Sequence, residues 1–284
     1  MPRSPPTARR TRRSTWSERH RYAAQEADDP HRGRAMTDPN PLEQYFRANQ
    51  GRLIHKWVHY FEIYHRHFER FRGKPVTVLE FGVSHGGSLQ MWRDYFGADA
   101  RIYGVDIDPR CAELGGPGTE IFIGDQQDRT FLRSIADRVG PVDVLIEDGG
   151  HRMKQQIATF EELYPRMSPD GCFLIEDLHT SYWPKFGGGY QRPGTFMVYA
   201  KGLTDQLNAW HSRDDRLAVD EFTRTTKSMH FYDSIVVLER GVVEKPHTEK
   251  TGRFSFGRHQ GETFDPEVRA RRLRRRARRQ AAGG

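Results

Sequence analysis

The 284 residues carry a formal charge of +7, from 45 Lys and Arg against 38 Asp and Glu. Met1 to Arg13 holds five Arg and no acid, and Arg269 to Arg279 holds eight Arg in eleven residues, again with no acid. Setting those 13 charges aside leaves 32 basic against 38 acidic side chains from Ser14 to Val268, a body of charge −6, so overall basicity is no argument for a nucleic-acid-binding protein.

Residues 1–40 are rich in Pro, Arg, Ser and Asp, lack a hydrophobic period and read as a disordered basic extension. Met36 within it is a candidate translation start. One domain of somewhat over 200 residues is expected over 41–245, followed by a polar to Arg-rich tail over 246–284. Leu53, Ile54, Trp57, Tyr60, Phe61, Tyr64, Phe68 and Phe71 recur at three- and four-residue spacing, which predicts one long amphipathic helix. The interleaved His55, His59, His65 and His67 match no metal motif and read as solvated or rim residues.

Short apolar runs then alternate with helical patterns. Val76 to Phe81, Ile102 to Val105, Glu120 to Ile123, Val142 to Ile146 and Cys172 to Ile175 are predicted strands. Leu89 to Phe96, Arg129 to Val139, Lys154 to Met167 and Thr195 to Trp210 are predicted helices. His230 to Tyr232 and Ile235 to Leu238 flank Asp233-Ser234, a spacing that suits a tight hairpin. The alternation predicts an α/β fold: a doubly wound, Rossmann-like, seven-stranded, mostly parallel sheet closed by an antiparallel edge hairpin. No apolar run approaches the roughly 20 residues that span a bilayer, so no membrane partner is expected. No apolar stretch follows the N-terminal Arg pairs as a signal peptide requires. Cys111 and Cys172 fit no metal spacing, and a reduced, cytoplasmic compartment is the simplest reading.

Chemistry concentrates at the predicted strand ends. The first ends in L-E-F-G-V-S-H-G-G-S, with Glu80, Gly82 and Ser88. This departs from the dinucleotide fingerprint G-x-G-x-x-G, and Glu80 puts an acid where a pyrophosphate needs donors; a cationic, phosphate-free nucleoside suits it better. The second ends in G-V-D-I-D-P, where Asp106, 24 residues after Gly82, can accept from ribose hydroxyls. The third ends in I-G-D-Q-Q-D, with Asp125 and Gln126 beside the same crevice.

From about Leu53 to Leu238 the chain resembles the class I S-adenosyl-L-methionine-dependent methyltransferases. The resemblance implies that Glu80 and Gly82 line the methionine and sulfonium part, Asp106 the ribose, and Asp125 with Gln126 the adenine side, with Ser88 also among the cofactor-binding residues. The broad class more often has Asp where Glu80 stands.

The fourth strand ends in L-I-E-D-G-G-H and the fifth in F-L-I-E-D-L-H, so neighbouring strands aim Asp148, His151, Glu176 and Asp177 at one cleft. Carboxylates converging without basic partners repel one another, and a hard divalent cation relieves this. These motifs, with the following T-S-Y-W-P-K-F-G-G-G, resemble the magnesium-dependent sugar O-methyltransferases of macrolide and other glycosylated antibiotic pathways. That resemblance implies Mg2+ ligands at Asp148, Glu176 and Asp177, and a general base at His151. It also implies a small-molecule sugar or glycoside as substrate. Tyr182, Trp183 and Phe186 are candidates for acceptor contact, in a glycine-containing loop that could move. A homo-oligomer stays open as the assembly.

Two other readings fit parts of the sequence. Proteins labelled cephalosporin hydroxylases resemble the pattern too, although a non-haem iron oxygenase prefers two His and one carboxylate. A nucleic-acid methyltransferase or binding protein using the Arg tails is the other, but Glu147-Asp148-Gly149-Gly150 stands where base-amino methyltransferases carry a Pro-Pro-aromatic run.

Overall fold

The computed structural model describes residues 40–251 and Arg274. The expected N-terminal extension up to residue 39, and all of the Arg-rich tail except Arg274, lie outside the described residues. Asn40 begins the first helix, α1 (Pro41–Ala48): its side chain accepts from the N–H groups of Leu42 and Glu43, and Pro41 occupies a first-turn position that needs no donor. Asn40 Nδ2 also donates to Phe61 O at 2.8 Å, tying α1 to α2 (Tyr60–Phe68).

The expected single helix from Leu53 is shorter than its apolar period. The helical ladder begins at Tyr60, and Leu53 and Trp57 are 62% and 54% exposed. The cause is a close tertiary approach. The carbonyl oxygens of Leu53 and Arg52 lie 2.3 and 2.5 Å from where a Cβ on Gly87 would stand, so this extended segment is pressed against the start of the next helix. The C-terminal half of the period holds: Tyr60, Phe61, Tyr64 and Phe68 are fully buried, and a 3₁₀ turn carries the buried Phe71. His67, expected at the rim, is buried instead. Its Nδ1 lies 2.6 Å from Glu239 Oε1 and its Nε2 2.9 Å from the Tyr232 hydroxyl, fastening α2 to the sheet edge.

Five parallel strands follow: β1 (Thr77–Phe81), β2 (Arg101–Asp106), β3 (Thr119–Ile123), β4 (Val144–Glu147) and β5 (Cys172–Ile175). The connecting helices are α3 (Gly87–Phe96), α4 (Arg129–Val139) and α5 (Met153–Leu163); α6 (Phe196–Leu207) and the short α7 (Glu221–Thr225) lead to the hairpin β6 (Thr226–Phe231) and β7 (Val236–Arg240). The order across the sheet is β3-β2-β1-β4-β5-β7-β6, with β7 antiparallel to β5. This is the expected seven-stranded, mostly parallel architecture with an antiparallel edge hairpin.

The strands are apolar on both faces because helices cover both. One layer packs Val78, Val144, Ile146 and Leu174 against the aromatic residues of α2 and α3. The other packs Leu79, Phe81, Leu145 and Phe173 against α4, α5 and α6. Glu80 alternates with Leu79 and Phe81 and so shares its face with Val78, under α2 and α3. Strand order reverses between β1 and β4, and at such a switch point the strand ends leave a crevice. No helix among the described residues is long and apolar enough to cross a membrane.

Candidate active site

A cavity of about 400 Å³ opens at that switch point. Of the residues expected there, Gly82, Ser88, Asp106, Asp125 and Gln126 line it, together with Asp148, His151 and Asp177. Asp106 is oriented by two backbone donors, Ser84 N at 2.9 Å to Oδ2 and Asp108 N at 2.9 Å to Oδ1. Gln126 is buried, donating from Nε2 to Glu147 Oε1 at 2.5 Å and to Thr159 Oγ1 at 2.9 Å. Its amide is thereby held rigidly against the wall.

Glu80 does not reach the cavity surface. It is fully buried behind it, where Ser88 Oγ donates to Oε2 at 2.6 Å and Oε1 has no hydrogen-bond partner. Burial pushes the Glu80 carboxyl up to about 7 against the pull of Lys56. Gly82 is needed for a close backbone approach. Its φ is +89°, and a Cβ there would stand 1.9 Å from the carbonyl oxygen of Asp148.

The β4 and β5 ends meet on one side of the cavity. Ligand atoms of Asp148, His151 and Asp177 all lie within 4.8 Å of one another. His151 Nε2 is 3.5 Å from Asp177 Oδ2 and 3.8 Å from Asp148 Oδ1. Ser84, His151 and Asp177, which follow β1, β4 and β5, adopt positive φ of 49°, 53° and 54°. Strained backbone at three strand ends around one crevice marks a place where side-chain direction outweighs conformational comfort. Thr180 Oγ1, 2.7 Å from Asp177 O and 3.2 Å from His151 O, links the two strained turns. Tyr60 donates to Asp177 Oδ1 at 2.8 Å.

Glu176 lies apart from that trio, lining a smaller cavity of about 120 Å³ that Asp148 and Asp177 also border. Contrary to the expectation of carboxylates without basic partners, it faces one: Lys56. The Lys56 Nζ donates to Asp148 Oδ2 at 2.5 Å and to Glu176 Oε2 and Oε1 at 2.9 and 3.0 Å. Burial alone would lower the Lys56 pKa, but Asp148, Glu176 and Glu80 together hold it well above the usual lysine range, so the amine is protonated. One buried cation thus faces several carboxylates, a donor set that still carries surplus negative charge. Asp148 and Asp177, with His151 beside them, fit a hard divalent ion, and Glu176 can join them only where Lys56 gives way.

The loop after β5 brings aromatic rings to the rim. Trp183 packs 4.6 Å from His179 between ring centroids, and Phe186 lies 6.4 Å from His151. Tyr182 and Trp183 are 46% and 48% exposed. The glycines expected to loosen this loop include one that packs it: a Cβ on Gly188 would stand 2.3 Å from Thr180 O. His179 is tied down by Ser234, with Nδ1 2.5 Å from Ser234 Oγ. Among the described residues His151 is the imidazole grouped with Asp148 and Asp177, while His179 Nδ1, 3.9 Å from Asp177 Oδ1, is engaged by Ser234.

Lys56, Tyr60 and Thr180 are the residues that motif reading missed. Lys56 left one trace, being the sole lysine before Lys74 in a stretch whose other bases are Arg and His.

Residues 79–178 match the family described as a methyltransferase domain. The 8-demethyl-8-alpha-L-rhamnosyl tetracenomycin-C 2'-O-methyltransferase of Streptomyces olivaceus is 36% identical, with 75% of this chain and 62% of the relative covered. The demethylmacrocin O-methyltransferase of Streptomyces fradiae is 35% identical, covering 67% of this chain and 51% of that protein. Among solved structures, the MycE methyltransferase from the mycinamycin biosynthetic pathway, in complex with Mg and SAH, superposes with a TM-score of 0.63 at 32% identity, covering 72% of this chain and 55% of that one. The same enzyme in complex with Mg, SAH and mycinamycin VI gives a TM-score of 0.62 at 29% identity, covering 81% and 58%. The chain spans about half to three fifths of the length of these relatives.

Proposed function

The chain carries a class I methyltransferase domain related to the sugar O-methyltransferases of glycosylated antibiotic pathways, and from that premise we propose that it transfers a methyl group from S-adenosyl-L-methionine to a sugar hydroxyl of a small-molecule glycoside, assisted by Mg2+. The catalytic unit is 41–245. The observation that carries the reading is the convergence of Asp148, His151 and Asp177 on the wall of the cavity that Asp106 and Asp125 also line. A volume of about 400 Å³ is in the range of small-molecule and cofactor sites.

The residues divide the work. Asp106 accepts from the ribose hydroxyls, since each of its oxygens retains a free lone pair after the backbone contact. Asp125 and Gln126 border the adenine, while Glu80 accepts from Ser88 and so fixes that side chain on the cavity wall where the methionine part would lie. Asp148 and Asp177 hold the ion, and Glu176 completes the set. An ion held there would supply Lewis-acid polarisation of the acceptor hydroxyl. His151 Nε2, facing the two aspartates, accepts the proton as the oxygen attacks the methyl carbon and the sulfur leaves as the neutral thioether. Trp183, Tyr182 and Phe186 offer apolar faces to the sugar and its aglycone.

The test is direct. Purified protein with methyl-labelled S-adenosylmethionine and a rhamnosylated polyketide acceptor should label the acceptor in the presence of Mg2+ and stop doing so with EDTA. Undiminished methylation in EDTA would remove the metal, and a hydroxylated product would replace the reaction class. Asp106→Asn keeps the side-chain volume and removes the charge. It should weaken S-adenosylmethionine binding by about tenfold in calorimetry; an unchanged Kd would take Asp106 out of the cofactor site.

A further inference from the structure

The Lys56 ammonium stands where the Asp148 and Glu176 carboxylates meet, and its side chain is only 3% exposed. A divalent ion held by Asp148 with Glu176 would compete with Lys56 for the same carboxylates. Two cations cannot share them, because unit charges about 4 Å apart repel strongly even at an effective dielectric of ~20. Three observations indicate how the conflict is resolved. Lys56 lies in the non-helical stretch before α2 and carries its charge on a flexible four-carbon stem. Its Nζ is already 3.8 Å from Glu80 Oε1. That oxygen is buried and without a hydrogen-bond partner within bonding distance, with the likewise unpaired Trp92 indole N–H acting on the same carboxylate.

We propose that Lys56 is an exchangeable internal counter-cation, pairing Asp148 with Glu176 while no divalent ion is present and moving to Glu80 Oε1 when an ion takes those carboxylates. This rests on the metal-assisted reading above and adds a positioning role that the motifs do not assign. In the metal-free protein Lys56 keeps the carboxylates from splaying apart and holds the site near its loaded geometry. It also competes with the ion, so it sets the affinity without touching the reacting atoms. Its arrival at Glu80 gives that buried acid a full partner in the loaded state.

The experiment titrates Mg2+ into the wild type and Lys56→Gln by calorimetry, alongside thermal melts with and without Mg2+. Lys56→Gln should bind Mg2+ about tenfold or more tightly. Its metal-free form should melt roughly 5–15 °C lower, a gap that saturating Mg2+ narrows. Equal or weaker Mg2+ binding by a folded Lys56→Gln overturns the exchange while leaving the metal reading intact. No Mg2+ binding by either protein overturns both. A second measurement needs no variant: in wild-type protein labelled with ¹⁵N-lysine, the buried Lys56 ammonium signal should shift on saturation with Mg2+. A signal that stays in place while calorimetry records binding overturns the exchange.

Discussion

His151→Ala is expected to lower kcat by about 10²–10⁴-fold, the contribution of a positioned general base, while S-adenosylmethionine still binds. His151 follows the Gly149-Gly150 pair after β4, and its backbone is held at a φ of 53°. Its Nε2 points at Asp177 and Asp148, and its Nδ1 is buried without a hydrogen-bond partner. A left-handed conformation at a non-glycine residue costs about 1–3 kcal/mol, so the turn is maintained by what surrounds it, including the Thr180 hydroxyl. Alanine would keep the turn and lose the imidazole. Single-turnover kinetics with labelled cofactor, paired with calorimetry for cofactor binding, separates the two effects. Unimpaired turnover in His151→Ala would move the base elsewhere, and lost cofactor affinity with intact chemistry would make His151 a wall residue.

Gly82→Ala should be among the most damaging glycine substitutions in the described residues, destabilising the fold by roughly 3–5 kcal/mol. The added carbon would stand 1.9 Å from Asp148 O, far inside contact, on a backbone at φ +89° that L side chains rarely adopt. Its obstacle is backbone, the carbonyl of the residue that leads into the Gly-Gly turn, so no side chain can rotate away. Relief requires the ends of β1 and β4 to part, which would displace Asp148 and His151 together. Chemical denaturation should register the stability loss, and any folded fraction should show weakened Mg2+ response as well as weakened cofactor binding. A Gly82→Ala protein of wild-type stability would mean that the two strand ends can separate freely. Gly149→Ala makes a comparison: its Cβ would stand 2.3 Å from Gln126 Oε1, a side-chain rather than a backbone obstacle, although one that Glu147 and Thr159 hold in place.

The sheet was legible because its signal is local. Apolar runs such as Val78-Leu79 and Leu145-Ile146 are bounded by glycine and acid at their ends, and the structure pairs them in the expected layers. Acids at strand ends were legible for the same reason, since topology alone sends the ends of β4 and β5 to a common edge. The segment before α2 was misread because its period continues that of the real helix. What stops the helix there is a contact with Gly87, more than thirty residues downstream, which no local pattern records. Lys56 was hidden by the same error, for on a helix face it reads as a solvated charge. Glu80 was placed at the right strand end, but its alternation with Leu79 and Phe81 turns it beneath α3, behind the cavity it was expected to line. Likewise the glycine run at 187–189 carries the composition of a mobile loop, whereas Gly188 serves tight packing against Thr180.

The turn of the edge hairpin also reaches the reactive end of the sheet. Ser234, at φ 65°, accepts the Leu178 N–H at its carbonyl (2.9 Å) and the His179 N–H at its hydroxyl (3.1 Å), so the residues just after Asp177 hang from it. β7 must enter beside β5 to bring that turn into place, pairing Cys172 with Glu239 across a long stretch of chain. Such distant pairings form slowly, after the neighbouring parallel strands have local reasons to assemble. During synthesis, therefore, all the carboxylates and the imidazole leave the ribosome before the clasp that sets their directions. A partly made chain has the chemistry in hand without its geometry, and reactivity arrives with the closing of the fold.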